Sequence, residues 1–162
     1  MDLALAALLL ATLTMGLAAG AFVLYQHTVM PGLGSTDDRT FVAAFQATDR
    51  AIINPWFMLT SFGGALVFSG AAALLHLGED AFGWILSAFV LYLVTVVITM
   101  AVNVPRNDAL KAAGDPDAID VAAARAAFDE SLWSRWNLVR AVLSSAAFVL
   151  LAWALVVAGG AR

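Results

Sequence analysis

Four long apolar stretches constrain the fold of this chain more than any other feature. They lie at about residues 3–24, 55–76, 82–102 and 138–158, and none contains Asp, Glu or Lys. Each stretch is long enough to cross the ~30 Å hydrocarbon layer of a bilayer as a helix. Because lipid cannot satisfy backbone N–H and C=O groups, a helix is the structure that such a stretch adopts. The sequence therefore predicts an all-α fold, a four-helix transmembrane bundle in one integral membrane domain, residues 1–162.

The composition supports membrane lipids as the surroundings of this bundle. Hydrophobic residues make up 62% of the chain and charged residues only 12%, whereas soluble domains carry about 25% charged residues. So much apolar surface cannot be hidden in a core of this size. The absence of cysteine excludes disulfides, iron–sulfur clusters and zinc–thiolate sites. No run of basic residues suggests nucleic acid as a partner, and the sequence leaves the oligomeric state open.

Two long connections, residues 25–54 and 103–137, separate the predicted spans. The first begins with a breaker cluster around Met30-Pro31-Gly32. In its helical part, about residues 38–53, Phe41 and Phe45 lie on an apolar face, while Gln46 and Asp49 are expected on another. The second connection contains an alanine-rich helix at about residues 117–130. We expect both connections to form amphipathic surface helices.

The distribution of positive charge predicts the orientation. Seven of the eight Lys and Arg residues belong to the side of the two long connections, and only Arg162 lies with the termini. The positive-inside rule then places the long connections in the cytoplasm and both termini outside. The predicted location is the inner (plasma) membrane of a bacterium.

Polar residues recur at spacings of three and four near the cytoplasmic ends of the predicted spans. Tyr92, Thr95, Thr99 and Asn103 share one helical stripe in the third span. A second stripe opens the fourth span and leads to Arg140. Each of these residues alone fits an interface role, in which aromatic rings form belts, arginine extends to the surface and asparagine caps helices. Together they exceed what anchoring requires and favour a polar pocket. The candidate binding residues are Tyr25, Arg50, Asn54, Thr99, Asn103, Asn107, Trp133, Trp136 and Asn137.

The residue types in this pocket suggest its chemistry. The guanidinium of Arg140 suits a phenolate, an enolate, a carboxylate or a lipid phosphate. Histidine titrates near neutral pH, so His27 is one candidate for a general base, and the carboxylate of Asp49 is the alternative. No metal site is predicted, because His27 and His76 lie at opposite ends of the bundle. The cluster of His76, Glu79 and Asp80 is typical of an exposed turn.

Several of these segments together resemble the anthrone-oxygenase-like family of small four-span membrane proteins. They are Gly16-Leu-Ala-Ala-Gly20 with Tyr25, Val29-Met-Pro-Gly32, Asn103-Val-Pro-Arg-Asn107 with Leu110, and Trp133 with Trp136-Asn-Leu-Val-Arg140. The resemblance covers essentially the whole chain in the right order. It implies a monooxygenase that oxidises an anthrone, or a related phenolic polycyclic compound, to a quinone with dioxygen and without a cofactor.

Under this hypothesis His27 or Asp49 removes a proton from the substrate, and Arg140, Asn103 and Asn137 stabilise the resulting oxyanion. Trp136 would stack on the aromatic ring. The alternative is a non-catalytic membrane protein whose polar end binds a lipid head group or a partner protein. The two hypotheses differ over the bases, because only an enzyme needs His27 or Asp49 in the pocket beside Arg140.

Overall fold

The computed structural model describes residues 2–160, so Arg162, the one cation predicted on the side of the termini, lies outside it. In this part of the chain the secondary structure consists of helices joined by turns. We number them α1 (Leu3–Gly34), α2 (Asp38–Ile52), α3 (Pro55–Leu75), α4 (Phe82–Ala112), α5 (Val121–Phe128) and α6 (Glu130–Gly160).

Among residues 2–160, the four helices long and apolar enough to cross a membrane are α1, α3, α4 and the segment that contains α6. The predicted all-α architecture with four such helices is therefore confirmed. They form a ring in which α1 packs against α3 and α6, and α4 packs against the same two helices. Fully buried apolar side chains fill its centre, among them Leu8, Met15, Ile85 and Leu151. Gly16 allows close packing of α1 on α6, since a Cβ there would lie 3.0 Å from the Phe148 ring.

Two helices continue well beyond the apolar stretches that predicted them. Met30-Pro31-Gly32 was expected to break the chain, but α1 passes through it and ends at Gly34. Likewise α4 continues past Val102 to Ala112. The expected break at Pro31 is wrong because a π-helical turn, Tyr25–Val29, ends two residues before this proline. In a π turn the hydrogen bonds run from residue i to i−5, which relieves the helix of the bond that proline cannot make.

The two long connections pack on each other and form a second hydrophobic core at one end of the bundle. Phe41 and Phe45 of α2 meet Phe128 of α5, with Met30, Leu110 and Trp133 around them. Gln46 and Asp49, which were predicted on another face of α2 than Phe41 and Phe45, are buried as well. Hydrogen bonds compensate the burial of the Gln46 amide, because its nitrogen donates to the carbonyls of Leu110 (2.8 Å) and Gly114 (3.0 Å).

Asp129 determines where α5 ends and α6 begins. It adopts a left-handed conformation (φ 54°), which ends α5 at Phe128. Its carboxylate accepts a hydrogen bond from the Leu132 amide (3.1 Å) and caps the next helix. For this reason α5 is shorter than the predicted helix over residues 117–130, and α6 begins eight residues before the predicted span at 138.

Arg125 ties the two connections together. Its guanidinium donates to the carbonyl oxygens of Gly34 and Thr36 and pairs with the carboxylates of Asp38 (3.0 Å) and Glu130 (3.1 Å). One side chain of α5 thus holds the end of α1, the start of α2 and the start of α6 together.

Candidate functional site

A cavity of about 300 Å³ lies where the bundle meets the second core. Its volume is at the lower end of the range for pockets that bind small molecules. The sequence-predicted residues that line it are Tyr25, Asp49, Thr99, Asn107, Trp133, Asn137 and Arg140.

Arg140 lies in the interior of the bundle and is only 4% exposed. Its guanidinium donates to the Thr99 hydroxyl (3.2 Å) and to the side-chain oxygen of Asn137 (2.9 Å). The rings of Phe22 and Trp133 lie 4.7 and 5.3 Å from its central carbon, within the distance of a cation–π interaction. Neutral groups therefore orient this cation.

No carboxylate pairs with Arg140 anywhere in residues 2–160, and within that range its Nε has no hydrogen-bond partner. A buried charge is costly unless an opposite charge and hydrogen bonds compensate it. The positive charge of Arg140 is thus left available in the wall of the cavity, where an anionic group of a ligand can approach it.

Asn137 is fixed in position by a further pair of contacts. Its amide nitrogen donates to the Phe22 carbonyl (3.1 Å) and to the side-chain oxygen of Gln26 (3.0 Å). Since its oxygen accepts from Arg140, the amide links α1 to the arginine of α6. Thr99 is held similarly, because its hydroxyl donates to the carbonyl of Thr95 (2.8 Å).

A second polar group in the cavity is centred on Asp49. One carboxylate oxygen accepts a hydrogen bond from the Asn107 amide (2.7 Å), and the other lies 2.7 Å from the Lys111 ammonium. The oxygen of Asn107 in turn accepts from the Trp133 indole (2.8 Å). Lys111 also pairs with the exposed Asp108 at 3.0 Å. Asp49 is thus a buried carboxylate with fixed partners in the wall that also contains Arg140.

Apolar and aromatic side chains make up the rest of the wall. They come from α1, α2, α3 and α4 and from the residue that precedes Asn54, and are Ala21, Phe22, Phe45, Ile52, Ile53, Phe57, Met58, Phe62, Met100 and Val104. Flat apolar surface with a few fixed polar groups suits an aromatic ligand that carries oxygen substituents.

Three of the four long apolar helices that line the cavity contain a π-helical turn at its level. These turns are Tyr25–Val29 in α1, Met58–Phe62 in α3 and Thr99–Asn103 in α4. Each contributes lining residues, namely Tyr25, Met58 and Thr99 among others. A π turn inserts one extra residue per turn, bends the helix and is frequent at functional sites. We attribute the width of the cavity to these turns.

Five predicted site residues do not line the cavity. His27 is exposed. Arg50 is also exposed, and its guanidinium donates a hydrogen bond to the side-chain oxygen of Gln46 (3.3 Å). Asn54 caps α3 through the Phe57 amide (2.9 Å). Asn103 is buried and donates to the Trp133 carbonyl (3.3 Å), and Trp136 is half-buried. Of the two candidate bases, the structure thus places Asp49, and not His27, in the wall with Arg140.

Sequence reasoning missed Lys111 and Asp108, because the helical continuation of α4 beyond Asn103 was not predicted. With that continuation, Asn107 and Lys111 fall four residues apart on one face. The π turns carried a signal in the sequence. Pro31 and Pro105 each follow a π turn by two residues, and Gly63-Gly64 follow the third directly.

The described residues contain no group of three His, Asp or Glu side chains arranged to hold a metal ion. His76 lies at the other end of the bundle, where its Nδ1 is 2.8 Å from the Ala72 carbonyl. Its Nε2 is 3.9 Å from the Glu79 carboxylate.

The sequence was compared with family models, with curated proteins and with solved structures. The model described as anthrone oxygenase matches residues 54–150, more than half of the chain. This range includes Asn107, Trp133, Asn137 and Arg140 but begins after Asp49. No curated protein and no solved structure matches significantly.

Proposed function

Because this chain belongs to the anthrone oxygenase family, we propose that it oxidises an anthrone-like or phenolic polycyclic substrate with dioxygen inside the cavity described above. The observation that carries the proposal is Arg140, a buried cation with no carboxylate partner in residues 2–160, in a largely apolar wall that also holds Asp49. In this reading the substrate oxygen supplies the negative charge that the fold itself does not place beside Arg140.

The role proposed for Arg140 is stabilisation of an oxyanion. Loss of a proton from the CH₂ group of an anthrone places negative charge on the ring oxygen as a phenolate. A fixed donor in a site shielded from water stabilises such charge without having to reorganise. Thr99 and Asn137 hold the guanidinium in place in the wall of the cavity, so its positive charge is fixed where the substrate oxygen would bind.

The role proposed for Asp49 is that of the base. It accepts one CH₂ proton, and the resulting anion passes one electron to dioxygen. The two radicals combine through a new C–O bond, and the proton returns to give a hydroperoxide. Loss of the second C–H proton then forms the carbonyl as the O–O bond breaks and water leaves. Overall, a CH₂ group and O₂ give a C=O group and H₂O, so the substrate itself supplies the four electrons that reduce dioxygen.

Oxygen uptake by the purified protein given an anthrone, above the rate without protein, tests this proposal. We expect Asp49→Asn to lower the rate by about 100-fold or more, the usual contribution of a general base. Arg140→Gln should lower it by a similar factor, because one oxyanion donor is typically worth about 100- to 1,000-fold.

His27→Ala is the matched control, since His27 is exposed and does not line the cavity. Its rate should equal that of the wild type. Absence of oxygen uptake by the wild type, or full activity in both Asp49→Asn and Arg140→Gln, would contradict the proposal. If the wild type takes up no oxygen but binds an anionic lipid saturably, and Arg140→Gln abolishes that binding, the result favours a non-catalytic protein that binds a lipid head group.

A further inference from the structure

Two of the apolar residues that line the cavity are also among the more exposed residues of the chain. Ile53, just before α3, is 61% exposed, and Met100, in the π turn of α4, is 57% exposed. A lining residue with so much exposed surface marks a place where the cavity reaches the outside. Both residues therefore lie at its mouth.

This mouth lies between α3 and α4. Phe57 and Met58 line the cavity from α3, and Met100 and Val104 line it from α4. Further along, the segments Gly63–Leu75 and Phe82–Ile98 of the same helices pack directly on each other. The two helices are thus in contact away from this end, and at this end, where both contain a π turn, the cavity lies between them.

The surfaces on either side of the mouth are apolar. In α4, Met100 continues an exposed stripe with Val90 and Val97 at spacings of seven and three residues, one face of a helix. In α3, the exposed side chains of Trp56 and Leu59 follow Ile53 at spacings of three. On helices long and apolar enough to span a bilayer, such stripes are the surfaces that face lipid.

The polar side of the cavity is held together by charge. Lys111 bridges the buried Asp49 (2.7 Å) and the exposed Asp108 (3.0 Å), so entry from water at this point requires ion pairs to separate. Entry between Ile53 and Met100 requires no such separation.

We propose that the cavity takes its ligand from the bilayer, through the gap between α3 and α4 bordered by Ile53 and Met100. The ligand class is a flat, lipid-soluble polycycle with an ionisable oxygen. It passes the apolar mouth edge first and turns its oxygen toward Arg140. This inference rests on the proposed function for the ligand class, and on a membrane placement of α3 and α4.

The absence of native cysteine makes a clean test available. Met100→Cys is modified with a bulky maleimide in detergent and reconstituted into vesicles of phosphatidylcholine and phosphatidylglycerol. The probe is 1,8-dihydroxyanthraquinone, which quenches tryptophan fluorescence. Trp133 in the cavity wall is one of the tryptophans whose fluorescence the bound probe would quench. The protein vesicles are mixed with vesicles preloaded with the probe, and the rate of saturable quenching is recorded. We expect the modified variant to bind the probe at least tenfold more slowly than the unmodified one.

Val97→Cys, modified in the same way, is the matched control. Val97 is 58% exposed on the same stripe of α4 but does not line the cavity, so its quenching rate should be unchanged. Asp108→Cys serves as the arm for entry from water. If the adduct at residue 108 slows binding and the adduct at residue 100 does not, the ligand enters from the aqueous side and the inference is overturned.

The experiment measures binding, so its result is separate from that of the oxidation assay. If modified Met100→Cys binds the probe slowly and the wild type takes up no oxygen, the proposed reaction is contradicted and entry from the membrane is supported. Absence of saturable quenching in the unmodified protein would contradict the ligand class and the inference with it.

Discussion

Two arginines of this protein are largely withdrawn from solvent, and their surroundings differ in kind. Arg125 has two carboxylates and two backbone carbonyls around it. Arg140 has a hydroxyl, an amide and two aromatic rings, with no carboxylate in the described chain. Stability alone explains the first arrangement, because a paired charge offsets its own desolvation. The second costs stability, and a ligand that brings negative charge gives a reason to retain it.

This difference predicts opposite effects of one substitution at the two sites. Arg140→Met should keep or raise the unfolding temperature, because it replaces an uncompensated buried cation by an apolar side chain of similar length. Arg125→Met should destabilise the protein by about 2 kcal/mol or more, since it leaves the carboxylates of Asp38 and Glu130 unpaired. Thermal unfolding in detergent, followed by circular dichroism, measures both. If Arg140→Met proves the more destabilising of the two, Arg140 is a structural residue.

At the scale of the elements, the four apolar stretches located the long helices correctly, and they did not predict where those helices end. Hydropathy reports contact with lipid, whereas α1 and α4 continue into the second core, where their outer turns are polar. The π turns were missed for a related reason, since a period of 3.6 residues describes α-helix only. Proline two residues after a π turn, in α1 and α4, and the glycine pair in α3 are the local signs that a search could use.

The glycine pair leads to a prediction about α3. A Cβ on Gly64 would lie 2.1 Å from the Leu59 carbonyl oxygen, a backbone atom that can move only if the π turn changes. Gly64→Ala should therefore destabilise the protein by about 1–3 kcal/mol, the usual cost of overpacking. Gly20→Ala in α1 is the matched control, because nothing lies within 4 Å of its Cβ. Alanine there should be neutral or stabilising by less than about 1 kcal/mol.

Unfolding of both variants in detergent at increasing concentrations of dodecyl sulfate gives the comparison. Equal stabilities of Gly64→Ala and Gly20→Ala would mean that the π turn in α3 does not depend on glycine.

At the scale of the whole molecule, the site could be predicted where one helix carries its own pattern. The spacings of three and four residues placed Thr99 and Asn137 inward with Arg140, and all three line the cavity. Contributions that depend on how separate helices meet could not be predicted, because no local pattern encodes them. Lys111 reaches Asp49 across 62 residues of chain, and His27 lies outside the cavity although it is close to Tyr25 in sequence.

The orientation in the membrane is a prediction at this same scale. Ser35 lies exposed at the end with the second core, and Glu79 lies exposed in the turn at the opposite end. If the positive-inside rule holds for this chain, a membrane-impermeant maleimide should label Glu79→Cys on spheroplasts. It should label Ser35→Cys only after the membrane is opened. The reverse pattern would place the cavity on the outer side.

Three of the polar or aromatic side chains in the cavity wall, Trp133, Asn137 and Arg140, come from α6, which follows the other five helices of residues 2–160 in chain order. While α6 is still within the ribosome, α1 and α4 lack the helix that packs on both of them. The amide of Gln26 and the hydroxyl of Thr99 then have no partner from α6. A chain interrupted after α4 therefore lacks the binding site as well as the closed bundle. Synthesis of α6 supplies the missing packing and the missing side chains together, so quality control that recognises bundles without α6 also removes chains without a site.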